Sequence, residues 1–174
     1  MWTIQSRCAV FRFKPLSKDE LFEIIDVIAH REKLTINAKA KDALVEVSEG
    51  DCRKLENVLQ SCAALDSKIT EEIVYEVAAF AKPAEVKDVL ELTIKKDFQK
   101  ARSKLLDIQL NYGLTGIDIL KQVQKEIWLL KLDDHKKLEM VKECGDAEFR
   151  LVEGSDEYIQ LEALLARFIL INSK

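Results

Sequence analysis

Glycine and proline are scarce. The 174 residues hold 5 Gly and 2 Pro, so tight turns are few and long helices can run uninterrupted. No apolar run approaches the roughly 20 residues that a membrane span needs. The start, Met1-Trp2-Thr3-Ile4-Gln5-Ser6-Arg7-Cys8, lacks the apolar core of a signal peptide. Histidine is limited to His30 and His135, and the four cysteines, Cys8, Cys52, Cys62 and Cys144, form no CxxC pair. Zinc ligands come in closely spaced pairs, so no metal site is expected. The thiols read as small buried apolar groups in a reducing compartment. A formal charge of −4 gives no global attraction to nucleic acid. Gly50, Gly113, Gly116, Gly145 and Gly154 build no GxxxxGK(S/T), and neither GxSxG nor HExxH occurs. A nucleotide enzyme needs such a loop, because its backbone amides wrap the phosphates. The chain by itself is therefore expected to hydrolyse no nucleotide.

What is present is helical periodicity. Residues 8–13 are the only good strand candidate, with Val10, Phe11 and Phe13 as β-formers before Lys14-Pro15. One strand makes no sheet, so its partners are expected elsewhere. Ser17-Lys18-Asp19-Glu20 is a capping box, and Leu21, Ile24, Ile25 and Ile28 follow as a one-sided stripe. Asn37 caps a second helix carrying Ala40, Leu44 and Val47, which Ser48-Glu49-Gly50 breaks. Asp51 caps a third with Leu55, Val58, Leu59 and Cys62 inside, and Thr70 a fourth with Ile73, Val74, Val77 and Phe80. Pro83 marks a boundary. Beyond it the pattern predicts helices over 84–94, 97–111, 115–130, 134–153 and 156–172, with Gly145 a possible interruption. The expected fold is all-α, a four-helix unit followed by a five-helix unit, with one short orphan strand at the N-terminus.

Two segments carry candidate chemistry. Arg7, in Ser6-Arg7-Cys8 before the strand, reads either as a solvated arginine or as a planar fork aimed at a phosphate on a neighbouring molecule. Arg53, in Gly50-Asp51-Cys52-Arg53-Lys54, lies in the first turn of a helix. The macrodipole disfavours a cation there, unless an anion docks where amides, dipole and guanidinium converge. The run Lys95, Lys96, Lys100, Arg102 and Lys104 could contact phosphate. No aromatic residues interleave with it to stack bases, so a solvated helix face is expected. His30 and His135 read as surface residues, and Trp2 and Trp128 as packing groups.

Together, Ser6-Arg7-Cys8 and Gly50-Asp51-Cys52-Arg53-Lys54 resemble the AAA+ clamp loaders, in particular the replication factor C small-subunit family of archaeal type. Glu148-Phe149-Arg150-Leu151-Val152-Glu153-Gly154 and Ile159-Gln160-Leu161-Glu162-Ala163-Leu164-Leu165-Ala166 are similar to that family's last collar helices. Ile69-Thr70-Glu71-Glu72 and Tyr112-Gly113-Leu114-Thr115 extend the resemblance, which spans nearly the whole chain from Ile4.

The resemblance implies three parts: residues 1–14 as the remnant of a nucleotide-binding core, 15–82 as the AAA+ helical lid, and 83–174 as the oligomerising collar. It implies Arg7 as an arginine finger acting in trans and Arg53 as the sensor-2 arginine on the ATP γ-phosphate. The implied cofactors are none for this chain alone, and ATP with magnesium for the intact ATPase. The implied partners are other clamp-loader subunits, the sliding clamp and primer-template DNA. The expected location is cytoplasmic, or nuclear in a eukaryote. The Walker A and Walker B core that precedes Ile4 in the family is not in this sequence, and Met1-Trp2-Thr3 reads as an atypical start, so a piece of a longer protein or a split-gene product is expected. Two other readings stay open: a stand-alone helical adaptor, for which Arg53 has no purpose, and the lid of another AAA+ machine. That machine would usually add a winged helix, and residues 84–174 show no strand pair to build one.

Overall fold

The computed structural model describes residues 14–173. The strand expected at 8–13 and Arg7 lie outside the described residues. The chain divides into two compact units between Val77 and Ala78.

The first unit begins with α1 (Lys18–Glu32), opened by the Ser17 capping box: the Glu20 amide donates to Ser17 Oγ, and the Ser17 amide donates to Glu20 Oε2 at 2.7 Å. Lys33 closes the helix in the left-handed conformation. β1 (Thr35–Ile36) leads to α2 (Ala38–Ser48), whose cap Asn37 accepts from the Ala40 amide at 2.8 Å. α3 (Cys52–Leu65), β2 (Lys68–Ile69) and α4 (Glu71–Val77) follow. The two strands pair in parallel, Thr35 with Lys68 and Ile36 with Ile69. Sequence patterning missed this pair because two residues cannot display alternation. Leu21, Ile25, Leu44, Val47, Leu55, Leu59 and Ile69 form the core. The Tyr75 hydroxyl donates to Glu46 Oε2 at 2.7 Å, tying α4 to α2. Phe80, expected on α4, falls beyond its end, where Ala79 turns to φ 46°.

The second unit holds α5 (Pro83–Ile94), α6 (Phe98–Tyr112), α7 (Gly116–Ile127), α8 (Asp134–Val152) and α9 (Glu157–Ile171). Pro83 stands in the first turn of α5, where its missing N–H costs nothing. Asp97, Thr115, Asp133 and Asp156 cap the other four helices. α9 packs against the other four, and Phe168, fully buried, sits in their shared core with Leu90, Ile119, Ile127, Met140 and Leu165. Truncating such a phenylalanine to alanine costs about 3–5 kcal/mol.

Two expectations need correction. The helix expected over 115–130 stops at Ile127, because the chain tightens into turns: the Leu129 amide donates to the Glu126 carbonyl and the Leu130 amide to that of Ile127. That turn sends Leu130 into the core and leaves Leu129 outside. Gly145 does not interrupt α8, which runs unbroken through it. A helical glycine costs about 1 kcal/mol relative to alanine, less than burial of Met140, Cys144, Ala147 and Leu151 on the same helix returns.

Candidate functional site

The turn between α2 and α3 is built to hold a helix N-terminus open. Glu49 ends α2 at φ 54° and Gly50 follows at φ 84°. Only glycine tolerates this second position: a Cβ there would lie 2.6 Å from Pro15 Cβ and 3.1 Å from the Leu16 carbonyl oxygen. The Leu16 amide donates to the Gly50 carbonyl at 2.9 Å. Asp51 then caps α3, its carboxylate accepting from the Lys54 amide at 3.1 Å. The amides of Cys52 and Arg53, in the same first turn, have no acceptor among the described residues.

Arg53 is exposed, and among the described residues no hydrogen bond or ion pair engages it. A groove of about 490 Å³ opens at this turn, lined by Lys14, Pro15, Leu16, Glu49, Gly50, Asp51 and Cys52 but not by Arg53. Lys54 Nζ lies 3.9 Å from Glu49 Oε2, so that pair is exposed and weak. Burial first, then the Glu56 carboxylate, pushes the Cys52 thiol up, which makes it a poor nucleophile. Among the described residues this helix start leaves two amide donors and an exposed guanidinium unengaged, next to a groove that the Glu49 and Asp51 carboxylates also line. Patterning singled out Arg53 but passed over Lys14, which reaches the groove because Pro15 seats against Gly50. The Lys14-Pro15 step just before the capping box was the available signal.

The basic run from Lys95 to Lys104 is largely neutralised. Lys100 pairs with Asp97 at 2.7 Å, Arg102 with Glu162 at 2.6 Å, and Lys104 with Asp88. His30 and His135 are exposed, whereas Trp128, expected to pack, is 46% exposed. Cys62 and Cys144 are buried, and burial raises their thiols to about 11 and about 12. Cys52 is only half-buried. Among the described residues no cluster could hold a metal ion, and no helix is long and apolar enough to cross a membrane.

This is an all-α protein of two helical units. Residues 81–167, which lie in the five-helix unit, match the family described as replication factor C C-terminal domain. The chain is similar to the replication factor C small subunit of Pyrococcus furiosus, 45% identical over 171 residues, covering 98% of this chain and 20% of that protein. It is 46% identical over 164 residues to the small subunit of Methanococcus maripaludis strain C6, covering 94% of this chain and 52% of that protein. With the small subunit of Staphylothermus marinus the identity is 43% over 173 residues, 98% of this chain and 52% of that protein. The chain belongs to the replication factor C family. It spans about a fifth of the Pyrococcus relative and about half of the other two.

Proposed function

We propose that this chain is the lid-and-collar part of a DNA sliding-clamp loader subunit acting in the cytoplasm. In this reading the whole protein uses ATP and magnesium to open a ring-shaped clamp and place it on primer-template DNA during replication. Residues 1–14 finish the nucleotide-binding core, 15–82 form the lid over bound ATP, and 83–174 form the collar that joins other clamp-loader subunits. Arg7 acts in trans as an arginine finger. Arg53 contacts the γ-phosphate of ATP held in its own subunit.

The observation that supports this most is Arg53: an exposed cation in the first turn of α3 that, among the described residues, has no ion-pair partner, beside two amides that find no acceptor among them. A phosphate fits there, since dipole, amides and guanidinium all favour it. ATP, when bound, supplies the free energy of phosphoryl transfer; this chain's own residues orient its phosphates. For the collar, α9 gives the support. Leu161, Leu164, Leu165, Phe168 and Ile171 are buried while Ile159 and Leu170, outward, are each 65% exposed. An apolar outward face of this kind usually meets a neighbour.

The test is Arg53→Ala in the full-length subunit. Nucleotide affinity and ATP-dependent clamp loading should fall, while the melting temperature stays unchanged, because no partner is lost. Unaltered nucleotide affinity would refute the assignment. In the same protein Arg7→Ala should cut ATP turnover, by as much as about 10³–10⁵ on the scale of known arginine fingers, with binding nearly intact. The 174-residue chain alone, which contains no phosphate loop, should show no heat with Mg-ATP in calorimetry.

A further inference from the structure

The turn between α7 and α8 takes no part in that reading. Leu130, buried in the core, anchors it, and the Leu129 and Leu130 amides bond back to the Glu126 and Ile127 carbonyls. From the start of α8, Lys137 Nζ donates to the Trp128 carbonyl at 3.3 Å. The turn is thus tied down from both sides, yet what it holds outward is apolar: Trp128 is 46% and Leu129 69% exposed. A tryptophan normally buries most of its large surface. Among the described residues no cation lies over this indole.

Lysines surround the ring. Lys121, Lys125 and Trp128 recur four and three residues apart, so they share one face at the end of α7. Lys131 stands exposed just past the turn, and Lys137 is bound to the carbonyl of Trp128 itself. Lys121, Lys131 and Lys137 form no ion pair among the described residues. The carboxylates of this stretch are Glu126, Asp133 and Asp134, and Asp133 is engaged in capping α8, where it accepts from the Lys136 amide at 3.0 Å. Residues 121–137 carry five lysines against three acids, in a chain whose formal charge is −4. In the run from Lys95 to Lys104, by contrast, Lys100, Arg102 and Lys104 are all paired. An exposed indole among unpaired ammonium groups suits the two things a single strand offers, bases with flat π-faces and phosphates. Lysine is depleted from protein–protein interfaces, so a protein partner fits this surface less well. A duplex keeps its bases stacked inside, out of the ring's reach.

We propose that the turn between α7 and α8 is a binding site for single-stranded DNA, in which one base stacks on Trp128 while Lys121, Lys131 and Lys137 face the phosphates on either side of it. The site reads no sequence, because every base has a π-face. It uses no 2′-hydroxyl, so DNA suffices as the ligand. It lies in the five-helix unit and is independent of the roles given to Arg7 and Arg53.

Fluorescence titration of the 174-residue chain without nucleotide tests this, with Trp2→Phe in the background so that Trp128 is the one indole. The probes are (dT)12, an abasic strand of the same length, and (rU)12, at salt from about 50 to about 200 mM. Trp128 emission should be quenched by (dT)12 and hardly changed by the abasic strand. Trp128→Ala, followed by anisotropy of a labelled (dT)12, should weaken binding at least about fivefold, and Trp128→Phe should keep most of it. Lys121→Gln and Lys131→Gln should each flatten the dependence of log affinity on log salt by about 0.7. Lys95→Gln with Lys96→Gln should leave binding unchanged. Absence of binding at about 50 mM salt would overturn the proposal, as would affinity indifferent to Trp128→Ala or equal quenching by the abasic strand. A tenfold preference for (rU)12 would overturn the choice of DNA. Emission that changes with protein concentration but not with added strand would make the turn a protein contact and also overturn it.

Discussion

The Leu16 amide donates to the Gly50 carbonyl at 2.9 Å, and this single bond holds the segment before α1 against the turn that opens α3. The bond forms only because Gly50, at φ 84°, lets Pro15 and Leu16 lie against its bare Cα. Gly50→Ala imposes a left-handed alanine and a clash with backbone atoms together. It should destabilise the protein by at least about 2 kcal/mol. Urea unfolding measures the loss. A value under about 0.5 kcal/mol, ordinary for surface changes, would show that the Pro15 segment simply moves away.

Glu157 joins the starts of two helices. Its carboxylate, in the first turn of α9, accepts from the Gly116 amide that opens α7, and from Gln109 Nε2 at 3.4 Å. Glu157→Gln keeps an acceptor but removes the negative charge from two positive helix ends. A loss of about 1–2 kcal/mol is expected. Glu157→Ala should cost more, since it strands the Gly116 amide. Thermal unfolding of both variants checks the order, and equal losses would show that the charge contributes nothing.

Acid should weaken the helix starts. The Lys100 side chain, with the Lys100 amide second, holds the Asp97 carboxyl below its ordinary 3.8. The Ser17 amide, then the Ser17 hydroxyl, holds Glu20 below 4.5. Both folded values lie under the unfolded ones. The stabilisation is therefore complete above the unfolded values of 3.8 and 4.5 and is lost as pH falls below them through the folded ones. Asp97→Asn keeps the cap but not the charge. Its denaturation midpoint should change less over that range than the wild type's, and parallel pH profiles would rule out a contribution from Asp97.

Helix starts were legible because each rests on a short local code. Ser17, Asn37 and Asp51 all cap where the pattern placed them. What escaped depends on distant residues. The Thr35–Ile36 strand exists because Lys68–Ile69, far along the chain, passes beside it. The end of α7 at Ile127 is set by the place Leu130 takes in the core. At the candidate site, Arg53 was legible from an unfavourable charge at a helix start. The groove beside it was not, because Lys14 and Pro15 meet Gly50 only through tertiary packing.

The small parallel pair also has a consequence for how the first unit folds. Parallel strands cannot be closed by a hairpin, so α2 and α3 together form the crossover between β1 and β2. The bond from the Thr35 amide to the Ser67 carbonyl, 2.9 Å long, can form only after both helices have been laid down. In the five-helix unit α6 and α8 can pack early against helices next to them in the chain, α5 for α6 and α7 and α9 for α8, and it is the return of α9 to α5 that spans a long stretch. Contacts between distant residues slow folding. In a refolding experiment followed by amide exchange, protection should reach α6 and α8 before it reaches the amide of Thr35.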